Sequence, residues 1–453
     1  MVALSNDTTQ TADTRVRLGA ALILLGAVMS IGIRFMWNTH PPDLSAIYMA
    51  GWLFAHDRFD LVYAAPEGFF GGTPPAWMPA LQEIGLYGGE VLPYVYPPLW
   101  AALVSPLAGA LEPQTFFRAA DIVLVCLLAA SSLVAWRMAR SWAMPLWAWI
   151  AVSAVALLTS LTSFMAMVQL QPHILVVFLT LMAFERYGAG RSWLGGALLG
   201  IAAALKLGPA ALILIFLADR DWRALGGFAT AALVCAALSL LLAGPDLHHA
   251  FLASVTNAVA GTQITGVTFS AEVVLNGIAS ALGLADAIDM TARNVRIGET
   301  PLVFGLMGKL AMLAGLLWGY HVTAPLDRQK RLVARLFLLG LLVGLFGPLG
   351  WVFYFLPQIF LLPALVGLMP LRPALYCLGG GLVFLSWPFF LLVGMNVAGD
   401  FPRAALGALV LLALFVGVTA SLSRTTGRER LPDALAACRE SFSAHATAPG
   451  CGR

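Results

Sequence analysis

Residues 193–218 read Trp193-Leu194-Gly195-Gly196-Ala197-Leu198-Leu199-Gly200-Ile201-Ala202-Ala203-Ala204-Leu205, then Lys206-Leu207-Gly208-Pro209, then Ala210-Ala211-Leu212-Ile213-Leu214-Ile215-Phe216-Leu217-Ala218. Each apolar half is too short to cross a hydrocarbon core of about 30 Å, which takes about 20 helical residues. Pro209 removes a backbone donor and fixes the chain where the two halves meet. The stretch therefore predicts a broken helical hairpin with Lys206 pointing toward the outer face. Arg191 before it and Arg220 and Arg223 after it hold both ends at the cytoplasmic side. Non-helical backbone at membrane depth survives only where protein or a cavity covers it.

The rest of the chain agrees with a membrane reading. Of its 453 residues 60% are hydrophobic and 11% charged, against about 25% charged in a soluble domain. Apolar runs fall at 16–37, 96–111, 116–136, 145–163, 172–187, 225–243, 301–320, 332–347, 351–369, 373–393 and 404–422. With both halves of the hairpin counted and 96–111 treated as re-entrant, this gives about twelve membrane segments, an all-α polytopic membrane protein. The run 96–111 is short and carries Pro97, Pro98 and Pro106. It is expected to dip in and return, which puts Arg137 and Arg140 in the cytoplasm. The run 16–37 is too long for a signal h-region and no small-residue cleavage site follows it, so it is expected to be retained. Arg15 and Arg17 place the N-terminus in the cytoplasm. No internal repeat emerges.

Residues 1–422 thus form one transmembrane domain with external loops at 38–95 and 244–300. The first loop carries Asp43, Asp57, Asp60, Glu67, Glu83 and Glu90 against Arg58 alone. Apolar residues on helical spacing over 44–54 predict an amphipathic helix lying at the interface. Residues 423–453, with Arg424, Arg428 and Arg430, are expected to be a mobile cytoplasmic tail.

A net charge of +3 without a basic stripe excludes nucleic acid as a partner. Cys126, Cys235 and Cys377 lie in apolar runs, Cys438 and Cys451 lie in the tail, and no CxxC pair occurs, so no disulfide framework or structural zinc is expected. No metal and no cofactor is expected, and a chelator should have no effect. Gly-rich phosphate loops, HExxH and GxSxG are absent, which argues against a nucleotide-sugar or ATP site.

Four features remain as candidate chemistry. Asp43, just beyond the first span, could be a partly desolvated general base or simply a helix N-cap. Tyr94-Val95-Tyr96-Pro97-Pro98 could wall a lipid or sugar site or belong to an interfacial aromatic belt. Lys206 could hold a phosphate as a point charge or snorkel to the interface. Gln171 and His173, in Leu170-Gln171-Pro172-His173, could meet a ligand or neighbouring helices. His248 and His249 are adjacent in sequence, do not share a helix face and make a weak metal pair.

The ordered set of these stretches resembles glycosyltransferase family 87, whose members include polyprenyl-phosphate-mannose-dependent mannosyltransferases with the membrane-embedded GT-C fold. The resemblance rests on Asp43-Leu44-Ser45-Ala46-Ile47-Tyr48-Met49-Ala50, on Tyr96-Pro97-Pro98-Leu99, on Gln171-Pro172-His173 where relatives show Gln-x-Asn, and on Ala204-Leu205-Lys206-Leu207-Gly208-Pro209 closing a Gly-rich helix. Pro348-Leu349-Gly350-Trp351-Val352-Phe353-Tyr354 is a looser match. Two departures stand out. His173 replaces the usual Asn, and no His follows Trp351 shortly, so that contact is missing or supplied by His173.

The resemblance implies an inverting, GT-C-type transfer of a sugar, a hexose such as mannose, from a polyprenyl-phosphate donor. The acceptor would be a hydroxyl of a lipid or glycan of the cell envelope, met on the extracytoplasmic side of a bacterial-type plasma membrane. Asp43 would be the general base. Lys206, Gln171, His173 and Arg34, at the outer end of the first span, would bind donor phosphate or sugar, with Tyr48, Tyr94 and Tyr96 as pocket wall. The alternative is a transporter or flippase of a lipid or small solute, since broken helices and intramembrane charge suit transporters too.

Overall fold

A computed structural model describes the backbone of residues 2–66, 71–259, 261–297 and 300–446, and the side chains of 13–66, 71–259, 261–294 and 300–424. Glu67 and Cys451 lie outside the described residues, as do the side chains of Arg428, Arg430 and Cys438. Helices make up more than three quarters of the described chain. Two three-residue strands, Thr262–Ile264 and Val295–Ile297, form one antiparallel pair. Among the described residues five helices are long and apolar enough to cross a membrane: Asp13–Met36, Pro113–Ala139, Trp222–Val259, Leu302–Thr323 and Phe401–Arg424. The remaining apolar helices are shorter and are joined into compound segments.

Parity follows from contacts at the helix ends. The carbonyl of Trp37, just past the first helix, accepts from Gln114 Nε2 at 2.9 Å and Arg118 Nε at 3.1 Å, at the start of Pro113–Ala139. One helix therefore ends on the side where the other begins. The helices between them, Pro42–Ala55 and Pro98–Ala110, make no net crossing. At 14 and 13 residues each spans only about 20 Å. At its far end Pro113–Ala139 meets the end of His173–Gly188, where Arg137 pairs with Glu185 at 2.9 Å and Arg186 pairs with the same carboxylate. These contacts leave 96–111 without a crossing of its own.

The broken hairpin closes at its base. Ser192 Oγ donates to Asp221 Oδ2 at 2.6 Å, and Tyr187 Oη donates to Asp219 Oδ2 at 2.9 Å. From that base Ser192–Leu205 rises to Lys206, and the chain returns through Gly208–Leu212 and Ile213–Ala218. The rising helix lies hard against Trp222–Val259. A Cβ at Gly196 would overlap the Ala224 carbonyl, and one at Gly227 would overlap that of Trp193. Small residues permit this approach where lipid offers helices no hydrophobic drive to associate.

Two further breaks support each other. The expected spans 145–163 and 373–393 are each interrupted, at Ser160 and Ser386. Both serines cap the helix that follows: Ser160 Oγ accepts from Ser163 N at 3.1 Å, and Ser386 Oγ from Phe389 N at 3.3 Å. The two breaks face each other in an isolated bridge, and Leu161 N donates to the Leu385 carbonyl at 2.8 Å. The freed backbone groups are thus satisfied without water.

Three expectations need correction. The 44–54 helix is not amphipathic at an interface: Asp43 to Leu53 are all buried, because Pro98–Ala110 and the start of Pro113–Ala139 enclose it. The stretch 244–300 is not simply a loop. Helix Trp222–Val259 bends at Gly244, whose φ of 69° and ψ of 167° are non-helical, and Pro245 follows. His248 pins that bend, with Nδ1 at 2.7 Å from the Gly244 carbonyl and Nε2 at 3.0 Å from Ser239 Oγ. The strand pair and helix Ala271–Ala281 fill the remainder. Finally, backbone helix continues from Phe401 to Ala446, so no change of backbone marks residue 422.

Candidate active site

Pro41 and Pro42 begin the helix that carries Asp43. Pro41 occupies the capping position and makes no side-chain cap, and Pro42 is the first helical residue. Asp43 therefore sits inside the first turn and does not cap. Instead the Leu44 N–H reaches the Gln169 carbonyl at 3.4 Å, joining this turn to the 169–172 corner. Within that corner Leu170 adopts φ 40°, a left-handed conformation that costs about 1–3 kcal/mol for a non-glycine residue. Gln171 follows it, with its N–H bound to the Ala166 carbonyl at 2.8 Å.

The side chains then form a short chain of hydrogen bonds. Tyr96 Oη donates to Gln171 Oε1 at 2.5 Å, and Gln171 Nε2 donates to Asp43 Oδ2 at 2.7 Å. Exposure is 4% for Tyr96, 0% for Gln171 and 4% for Asp43. Burial pushes the Asp43 carboxyl up from 3.8 to about 7, the Lys206 ammonium opposes that shift, and Glu90 adds to it. A carboxyl poised there is matched to proton abstraction near neutral pH.

Lys206 stands at the break of the hairpin with extended backbone, φ −155° and ψ 124°. Its Nζ lies 5.3 Å from the ring centre of Tyr96, 5.0 Å from Phe353 and 4.8 Å from Tyr354. These π-faces attract the cation, but Nζ is buried and has no hydrogen-bond partner. His173 is the first residue of its helix, and its ring lies 5.4 Å from Tyr354 and 5.9 Å from Phe353. Both of its ring nitrogens are also unpartnered. The ring thus comes from the facing helix to the segment after Trp351.

Tyr96, His173, Lys206 and Tyr354 line a cavity of about 230 Å³ whose other walls are mostly apolar, among them Val177, Leu212, Leu336 and Val343. An unpaired ammonium and an unpartnered imidazole at one end of an apolar cavity suit an anionic head group on a hydrocarbon tail. Asp43 and Gln171 lie behind the Tyr96 wall and join the cavity through its hydroxyl.

The other expected site residues lie elsewhere. Arg34 is exposed and shares a separate crevice with Ser30, Ile33, Trp37 and Asn38. Tyr48 faces Phe116 and Phe117 in the core and donates to the Leu111 carbonyl at 2.8 Å. Tyr94 is buried behind Tyr96, donating to the Pro97 carbonyl at 2.7 Å and accepting from Ala101 N at 3.1 Å, so it shapes the turn into the dipping helix. Gln358 lines the cavity and was not expected. The available signal was a lone amide in the apolar stretch Leu356-Pro357-Gln358-Ile359-Phe360.

Comparison with known proteins adds an independent line. A polyprenol-phosphate-mannose-dependent alpha-(1-2)-phosphatidylinositol mannoside mannosyltransferase of Mycobacterium tuberculosis is 28% identical over 376 residues, covering 75% of this chain and 78% of that protein. The protein of the same description from Mycolicibacterium smegmatis is 28% identical over 300 residues, 62% of each chain. No solved structure matches. Residues 94–349 match glycosyltransferase family 87, a stretch that begins at Tyr94 and takes in Tyr96, Gln171, His173 and Lys206. More than half of the sequence thus follows one family's pattern through the helices that build this cavity, and the chain, a polytopic membrane glycosyltransferase, belongs to glycosyltransferase family 87.

Proposed function

We propose that this protein transfers a hexose such as mannose from a polyprenyl-phosphate donor to a hydroxyl of a lipid or glycan acceptor, with inversion, on the extracytoplasmic side of the plasma membrane. The carrying observation is an unpartnered ammonium, Lys206, at the polar end of an otherwise apolar cavity, with a buried carboxyl, Asp43, joined to that end through Gln171 and Tyr96. Both termini would then be cytoplasmic, as the basic residues flanking the spans require.

In the reaction Asp43 takes the proton of the acceptor hydroxyl. The acceptor oxygen bonds to the anomeric carbon from the face opposite the phosphate. The carbon–oxygen bond to the phosphate breaks, and the electron pair leaves with the polyprenyl phosphate. Lys206 and His173 stabilise the charge that develops there. Gln171 holds one carboxylate oxygen of Asp43 and leaves the other for the acceptor, with Tyr96 fixing the amide's orientation. The similarity to proteins described as polyprenol-phosphate-mannose-dependent supports the donor class, and family membership favours transfer over transport.

The test is transfer by purified protein from synthetic polyprenyl-phosphate sugars to a panel of lipid acceptors, with the anomeric configuration of the product read by NMR. Inverted product is expected. Absence of product across the panel, or retention of configuration, would sink the proposal.

A further inference from the structure

Gln358 stands one helical turn beyond Tyr354, about 6 Å further along the segment, and is 2% exposed. Both amide atoms, Nε2 and Oε1, are buried without a hydrogen-bond partner, and the side chain lines the cavity that Lys206 caps. The facing helix, Arg328–Phe346, makes room for it: a Cβ at Gly340 would overlap the amide nitrogen. Of the other cavity walls, Val177, Leu336 and Val343 offer no polar side chain, and the Thr180 hydroxyl already donates to the Val176 carbonyl at 2.8 Å. A primary amide unsatisfied at both ends in such surroundings is costly, and an apolar residue of similar shape would avoid that cost.

The chemistry of the amide selects its partner. A prenyl chain has no hydrogen-bonding atom. A phosphate accepts from the amide N–H but donates nothing to its carbonyl. A sugar hydroxyl both donates and accepts, so adjacent hydroxyls of a pyranose meet both ends of one amide. We infer that Gln358 binds hydroxyl groups of the donor hexose, so that the sugar, and not the prenyl chain, fills the Gln358 side of the cavity. This rests on the transferase reading above and adds a sugar-selecting residue to it. A site built to hydrogen-bond a substrate hydroxyl rejects the analogue that lacks it.

Gln358→Met keeps length and volume and removes the amide. Its melting temperature in detergent should equal or exceed wild type, because no internal hydrogen bond is lost. Its kcat/KM for the preferred donor should fall 10- to 100-fold. With monodeoxy donors, one or two hydroxyl deletions should cost wild type a similar factor and cost Gln358→Met nothing further, while shortening the prenyl chain affects both equally. Gln358→Asn, which keeps the amide but shortens its reach, should show the same hydroxyl-specific loss and serves if the methionine variant does not fold. Wild-type rates in Gln358→Met, or deoxy penalties that persist in it, overturn the inference while leaving the transferase reading intact. A wild-type protein inactive with every donor removes both.

Discussion

Asp43→Asn is the perturbation on which the mechanism depends most. Asparagine keeps a carbonyl oxygen for Gln171 Nε2, which sits 2.7 Å from Asp43 Oδ2, so the Tyr96–Gln171 arrangement should persist. What disappears is the proton acceptor. A positioned general base contributes about 10²–10⁴-fold, so kcat should fall by that factor with little change in donor KM. The pH dependence is sharper still. With burial pushing the carboxyl up to about 7, wild-type activity should fall as pH drops below neutral. The residual activity of Asp43→Asn should show no such acid limb. Stability carries the opposite sign. A raised folded-state value means the fold favours protonated Asp43. That contribution is complete below 3.8 and is lost as pH climbs through about 7. Asp43→Asn should therefore melt no lower than wild type at pH 8. The assay is initial-rate transfer from pH 5 to 9 beside thermal unfolding in the same detergent. Turnover by Asp43→Asn within threefold of wild type at pH 8, or an acid limb that survives the substitution, would refute the reasoning.

Further outcomes follow from the same geometry. Lys206→Met should raise donor KM at least tenfold and Lys206→Arg should restore part of it, read by donor titration, since the cation's role is to meet a phosphate. Gln171→Leu strands the Tyr96 hydroxyl and the Asp43 carboxyl; it should cost about 1–3 kcal/mol of stability for each group left buried and unpaired, measured by denaturant unfolding, and move the acid limb to higher pH, because the carboxylate loses a hydrogen bond that favours its charged form. Ser386→Ala removes the cap on Trp387–Asn396 and should cost about 1 kcal/mol, visible as a lowered melting temperature with donor KM unchanged.

Much of the architecture could be read directly. The hairpin broken at Lys206 could be read because two short apolar runs flank Gly208-Pro209, and the basic residues around them fix which face their ends share. That 96–111 makes no crossing of its own could be read from its length and its prolines. The breaks at Ser160 and Ser386 could not. Each serine lies in a continuous apolar run, and the alternative to a straight helix exists only because a second broken segment supplies the Leu385 carbonyl to Leu161 N. Likewise the spacing over 44–54 suggested a surface helix, since nothing local tells which helices will enclose it.

The candidate site divides the same way. Local chemistry singled out Asp43, Lys206, Gln171 and His173, because charge and amide groups are rare and costly in a membrane-embedded chain. Tyr48, Tyr94 and Arg34, expected at the site with them, are placed elsewhere by packing. Sequence by itself determined the solvent, the family and the positions at which polar groups interrupt apolar runs, because each of these is a property of local composition and order. Only the tertiary structure decided that Asp43 is bound by Gln171 and does not cap its helix, and that His173 stands beside Tyr354. It alone shows that Gln358 ends unpaired in the same cavity. Those facts depend on contacts between segments more than a hundred residues apart, and no local pattern encodes which buried polar group will find a partner.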